Sequence, residues 1–342
     1  MDSFCSQLSG EVLAACMAIP ERCVSLKAPP FVQVIGEPQL FVRINQVVQE
    51  ARLGAHDFFV LGPGRGTTAT RETAMASSRG RKVVHWADVI ADGRFIGDEA
   101  QRAARAFNGA VASYVRSLRD RSSEAATSTA MLWPTLLSGL RTMLVEQNIS
   151  GLFDSPWDNL FSELYLAMCT RGVRVVFSTR GATAWAASRV ESHGGNATNF
   201  VCPFAEDPRL LDPFSWPQCA AMARRYTSAG GADSDDAPEA APRRLPGGKA
   251  AYHFNEISQR ALGVALEKYN SYVIRLVPDD LLLEVNFFSS ALNAPKPGSN
   301  VSPRDEWTWL EMQLIAAFTR DGAPLASPPP PPPLRPVSMN TQ

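Results

Sequence analysis

The stretch Asp57-Phe58-Phe59-Val60-Leu61-Gly62-Pro63-Gly64-Arg65-Gly66-Thr67-Thr68 decides the fold. Its short apolar run stops in a glycine cluster, and residues 67–78 then read as a helix. Strand, glycine loop and helix follow in the order a phosphate-binding loop needs. The glycines remove the Cβ clashes that would keep backbone N–H groups from curling around phosphates. A working loop also carries a Lys that bridges the terminal phosphates and a Ser or Thr hydroxyl that holds magnesium. Lining up the glycines Gly62, Gly64 and Gly66 puts Thr67 at the lysine position and Thr68 at the hydroxyl position, so the lysine is missing. Arg65 and Arg71 are the nearest cations, and neither has the usual placement. A glycine-rich turn by itself is also what an ordinary tight loop contains. The strand-to-helix context is what turns the reading toward a P-loop.

Downstream, the second motif of such a site is a buried strand ending in Asp-Glu, the Asp supporting magnesium and the Glu polarising water. The candidate is Gly151-Leu152-Phe153-Asp154-Ser155, in which Asp154 ends the strand and Ser155 stands in place of the glutamate. A serine without a partner cannot serve as a base at neutral pH. A helix N-cap ahead of Pro156 and Trp157 is the plainer reading of Asp154. Without Lys and Glu, hydrolysis by this chain alone is not expected. ATP is therefore a doubtful ligand, and magnesium is expected only if ATP binds. The strand Val173–Thr179 ends in Ser178, Thr179 and Arg180, where this fold places a polar sensor for the γ-phosphate. Arg189 near the end of the next helix is placed to act on a neighbour's nucleotide, or else is an exposed arginine balanced by Glu191. His85, on an apolar strand, reads as a core histidine, and Trp86 and Trp185 as packing residues.

Working outward, Lys82–Val89 reads as a strand, Gly97–Leu118 as a long helix and Ala130–Gln147 as an amphipathic helix. Ile149–Phe153 reads as a strand, Leu160–Cys169 and Ala182–Glu191 as helices, and Asn199–Phe204 as a last strand. Alternating strands and helices over roughly 150 residues argue for a parallel sheet with helices on both faces. Residues 1–30 form an N-terminal segment, 31–205 the P-loop domain and 206–300 a helical region. That region reads as helical at Tyr252–Tyr269 and Asp279–Phe288, around a Gly, Pro and Asp-rich insertion at 229–249 expected to be disordered. Residues 301–322 carry one more helix, Glu306–Phe318. Residues 323–342, with six prolines at Pro328–Pro333, form an extended tail.

Composition narrows the function classes. The net charge of −1 excludes a polycation, so nucleic acid would be met through a local patch or through partners. The arginines Arg102, Arg105, Arg116, Arg119 and Arg121 read as a solvated helix face. The six cysteines are scattered without a CxxC pair, which gives zinc little support and suggests buried reduced thiols in an intracellular protein. No window is long and apolar enough for a membrane span.

Four stretches together resemble the subunit 4 family of the origin recognition complex, within the AAA+ proteins. They are DFFVLGPGRGTT (57–68), VVHWADVIADGRFIGDEAQRAARAFN (83–108), PWDNLFSELYLAMCTRGVRVVFSTRGATAWAASRVESH (156–193), and VPDDLLLEVNFF (277–288) with EWTWLEMQLIAAFTRD (306–321). Their order and spacing agree over most of Phe31 to Asp321. The resemblance implies a three-layer α/β AAA+ core, a helical lid at 206–300 and the first helix of a winged-helix domain at 301–322. It also implies a nuclear, DNA-bound initiator complex. In it, this chain would meet double-stranded DNA through the complex and present Arg189 to the ATP of a neighbouring large ATP-binding subunit. The chain departs from the pattern in the missing Lys and Glu, in His193 where a second arginine is frequent, and in a winged helix that stops after one helix. Two alternatives stand beside it: an unorthodox stand-alone ATPase in which Arg65 or Arg71 replaces the lysine, and a P-loop-fold scaffold of another assembly, of the retrotransposon-hot-spot type.

Overall fold

The computed structural model describes residues 2–35, 37–53, 57–64, 67–86, 88–119, 130–154, 156–185, 243–244, 250–251, 266–267, 269–285 and 303–320. At its centre is a seven-stranded mixed sheet, flanked by helices on both faces. Five strands run parallel: β1 (Phe59–Gly62), β2 (Lys82–His85), β5 (Ile149–Phe153), β6 (Val173–Ser178) and β9 (Leu282–Val285). The antiparallel strands β3 (Asp88–Ala91) and β4 (Arg94–Phe95) extend the β2 edge. The spatial order is β4-β3-β2-β5-β1-β6-β9, which puts the glycine-loop strand between the acidic strand β5 and the sensor strand β6. A separate two-stranded ribbon pairs β7 (Arg243–Arg244) with β8 (Ala250–Ala251).

Strand periodicity produces the two faces. Phe59 and Leu61 join one buried cluster, and Val60 between them joins the other. Val84 and Val83, and Val175 and Val176, split the same way, as a period of two requires. In β5, Ile149 and Leu152 share a face although three positions apart. The reason is a register shift beside Ser150: Lys82 pairs Ile149 while Val83 pairs Gly151, so one extra residue turns the strand over.

One face is covered by the N-terminal helices and by α4 (Pro38–Glu50), α6 (Asp98–Arg119), α7 (Trp133–Arg141), α8 (Phe161–Cys169) and helical residues 269–276. The N-terminal helices are α1 (Asp2–Cys5), α2 (Gly10–Met17) and α3 (Phe31–Val34). The other face is covered by α5 (Thr67–Ser77) and α9 (Pro303–Arg320), through Ala74, Ala76, Ile315 and Phe318. Three layers around one sheet are the expected doubly covered parallel arrangement. Among the described residues, no helix is long and apolar enough to cross a membrane.

Several sequence expectations need correction. Lys82–Val89 is two strands, broken where Trp86 takes a left-handed φ of 55°. Of residues 279–288, read as helical, Asp279–Leu281 form a 3-10 turn and Leu282–Val285 form strand β9, while 286–288 lie outside the described residues. Strands therefore do not end at Phe204. The helix expected to open a winged-helix domain packs onto α5 and β9 as part of the sandwich. The cysteines expected to be reduced form two disulfides, Cys5–Cys16 and Cys23–Cys169. The second ties the N-terminal segment to α8, so residues 1–30 are built into the domain rather than appended to it. The strand at 199–204, the helix at 252–265, the tail at 323–342, most of the 229–249 insertion, and Cys202 and Cys219 lie outside the described residues.

Candidate functional site

The carboxyl ends of the parallel strands form the crevice in which open α/β sheets bind ligands. Here those ends are knitted together. The amide of Asp154 donates to Gly62 O (3.1 Å), that of Trp86 to Phe153 O (3.2 Å), and that of Thr179 to Val285 O (2.8 Å). Asp154 and Trp86 both hold left-handed backbone, φ 67° and 55°, which costs a non-glycine residue about 1–3 kcal/mol and clusters at working sites. The Asn108 side-chain amide donates to Trp86 O and secures that turn. The indole of Trp86 is left 59% exposed on the rim.

The first half of the glycine loop is fixed from three sides. A Cβ on Gly62 would stand 2.0 Å from the Phe153 ring, and one on Gly64 would stand 2.0 Å from Ser178 Oγ. The buried hydroxyl of Tyr269 donates to Pro63 O (3.0 Å). Ser178 Oγ is itself buried and has no hydrogen-bond partner among the described residues. The loop then enters α5, an eleven-residue helix starting at Thr67, whose N-terminus favours an anion. Gly66 and Arg65 lie outside the described residues, as do the side chains of Thr67 and Thr68.

Below the loop, His85 and Asp154 meet because β2 and β5 pair His85 with Phe153. His85 Nε2 is 3.5 Å from Asp154 Oδ2 and 3.2 Å from Thr70 Oγ1. Asp154 is 3% exposed and Thr70 1%. Both contacts fall on the same ring nitrogen, so the imidazole does not link hydroxyl to carboxylate through its two nitrogens. A nucleophilic triad requires that link, and this trio does not provide it. What the geometry does is set one oxygen of the buried Asp154 carboxylate facing the His85 ring.

Of the residues read from sequence, Gly62, Gly64, Asp154 and Thr179 come together at this end of the sheet. Thr179, 8% exposed, directs its hydroxyl to Val285 O (3.4 Å), so it is engaged with the edge strand. Arg71, the described candidate to replace the lysine, is stacked 5.1 Å from the Phe95 ring on β4, where its charge serves the sheet edge. Arg189, His193 and Ser155 lie outside the described residues. Sequence reasoning missed His85 as a wall of the site, and Tyr269 as the clamp on Pro63. Neither had a signal in the sequence: the end of β2 at His85 appears only in the structure, and Tyr269 is 206 residues from its partner.

No family model, curated protein or solved structure matches the chain.

Proposed function

We propose that the chain is a non-hydrolysing P-loop-fold subunit of a larger assembly, and that the assembly its motifs resemble, the nuclear origin recognition complex, is where it acts. The observation that carries the first half is the pairing of Asp154 with His85 in a loop whose lysine position is Thr67. An acid facing a histidine is poorly placed to support magnesium, and no lysine bridges the terminal phosphates. The second half rests on the four motif stretches. In that reading the subunit takes part in origin DNA binding and replication initiation, contributes structure to an arc of AAA+ domains around duplex DNA, and extends Arg189 toward a neighbour's ATP. Arg189→Ala is expected to lower the assembled complex's ATPase by about 10³-fold with this subunit's fold intact. Unchanged complex activity removes the finger role.

Two observations favour a second reading, a P-loop-fold scaffold of a different assembly. AAA+ proteins set the sensor strand between the loop strand and the acidic strand, whereas here the loop strand separates the other two. Disulfides such as Cys5–Cys16 and Cys23–Cys169 are also rare in nuclear and cytosolic proteins. Affinity purification from native cells, with mass spectrometry of the partners, decides between the readings. A large ATPase with an intact lysine loop, accompanied by other initiator subunits, supports the first. Recovery of an unrelated assembly supports the second.

A further inference from the structure

The opposite rim of the sheet holds a second feature, remote from the glycine loop. A cavity of ≈ 520 Å³ opens where β2 and β5 begin and β3 ends, and its walls include Arg52, Arg81, Lys82, Asp92, Asn148 and Ser150. Arg81 is 6% exposed. Its Nη1 donates to Phe58 O (3.3 Å), its Nη2 donates to Thr319 O (2.6 Å), and its guanidinium lies 4.6 Å from the Phe58 ring. These partners are all neutral, and its Nε–H is buried without an acceptor among the described residues. Burial lowers its pKa to about 10, with no carboxylate among the described residues offsetting the cost. Arginine therefore stays charged at neutral pH, and a buried charge without a counter-ion is expensive.

The other walls add to the positive potential. Lys82 Nζ donates to a neutral carbonyl, Gln147 O (3.1 Å). Arg52 lies on the mouth with no ion pair to any described residue. The one acid on the walls, Asp92, has its Oδ1 committed to the Gly80 amide (2.8 Å). Cationic residues from two segments, Arg52 and the neighbours Arg81 and Lys82, thus line a space with one carboxylate on its walls. Donors arriving from two separate segments suit a phosphate, with its multiple acceptor oxygens, better than a planar carboxylate. The volume is in the range of roughly 300–1,000 Å³ typical of small-molecule sites and exceeds what a bare phosphate fills.

We propose that this cavity binds the phosphate group of a small phosphomonoester, with Arg52 and Lys82 as its cationic contacts and the buried charge of Arg81 adding to the positive potential. Calorimetric titration of the full chain with inorganic phosphate and with glycerol phosphate, at constant ionic strength against chloride, tests this. Both probes are expected to saturate, the ester at least as tightly as phosphate. Arg52→Gln and Lys82→Gln are each expected to weaken binding about tenfold, and the double variant to abolish it. Arg81 is left unchanged because it also anchors α9. Circular dichroism should show both single variants folded, since Arg52 is exposed and Lys82 half-buried. No saturable binding overturns the proposal, and so does undiminished binding by the double variant, which would place the anion elsewhere, the glycine loop included. Acetate binding as well as phosphate overturns the phosphate assignment, and binding of phosphate with exclusion of the ester overturns the ester.

Discussion

Gly64 has no room for a side chain, and the reason lies 114 residues away on another strand. A Cβ there would stand 2.0 Å from Ser178 Oγ and 2.7 Å from Ser178 O. Rotating the serine relieves the first contact but not the second, which is backbone. Gly64→Ala is therefore expected to destabilise the fold by about 1–3 kcal/mol, and adding Ser178→Ala should not restore it. Urea denaturation of the single and double variants checks both statements; full recovery in the double variant would mean the backbone is free to yield. At this scale the glycines, Asp154 and Thr179 were legible in the sequence because each follows an apolar run at a strand end. His85 was not, because what gives it a role is a carboxylate 69 positions further on, delivered by strand pairing. Local pattern reports the period of a strand but not its neighbour.

At the scale of elements, the clearest departures from the sequence expectation are β9 and α9. Leu-Leu-Leu-Glu-Val is too short an apolar run to separate helix from strand by periodicity. It becomes a strand because the exposed edge of β6 accepts it in parallel register, Val175 with Leu282 through Ser178 with Val285. Helix α9 was placed correctly along the chain, near Glu306–Phe318, but its destination was invisible locally. Its anchors are Ile315 and Phe318, both buried against the sheet, together with the hydrogen bond from Arg81 to Thr319 O and the stacking of Arg174 4.7 Å from the Phe318 ring. Phe318→Ala is expected to cost about 3–5 kcal/mol and to lower the melting temperature of the whole sheet domain in a single transition. A separate low-temperature transition for residues 303–320 would instead make that helix an independent unit. The strands β1, β5 and β6 were legible because full burial gives them mostly apolar runs, broken inside only by Ser150 and Gly151 in β5 and by Arg174 in β6. The break at Trp86 was hidden, since Lys82–Val89 holds no glycine or proline to mark a turn.

Across the whole molecule, two features set the response to redox conditions and to alkali. The Cys23–Cys169 bridge closes a separation of 146 residues, and in the chain-entropy account a loop of this order contributes about 4–5 kcal/mol. Replacing both cysteines by serine should lower the unfolding free energy by that order in guanidinium titrations; an unchanged midpoint would show that the bridge adds nothing. Tyr165 and Tyr272 are both buried, and burial pushes both phenols well above their ordinary range, with Asp280 adding to the shift at Tyr165 and Glu163 at Tyr272. The folded chain therefore keeps these protons while the unfolded chain releases them near pH 10. The stabilisation is complete below about pH 10 and is lost as pH rises beyond it. Absorbance at 295 nm should show these two tyrosines ionising together with the loss of far-UV dichroism. A single titration of all six tyrosines near pH 10, with dichroism retained, would contradict this.

The position of β9 carries a consequence for how the protein is made. Strand β6 ends at Ser178, and its outer neighbour begins only at Leu282. While the chain is growing on the ribosome, β6 has one edge unpaired for about a hundred residues of synthesis, on the order of 5–20 seconds. Until residue 320 emerges, the face later covered by Ile315 and Phe318 is also bare. The nascent chain thus spends most of its synthesis as an incomplete sheet, a template for wrong pairing, and release of a chaperone before the last fifth is translated would come too early.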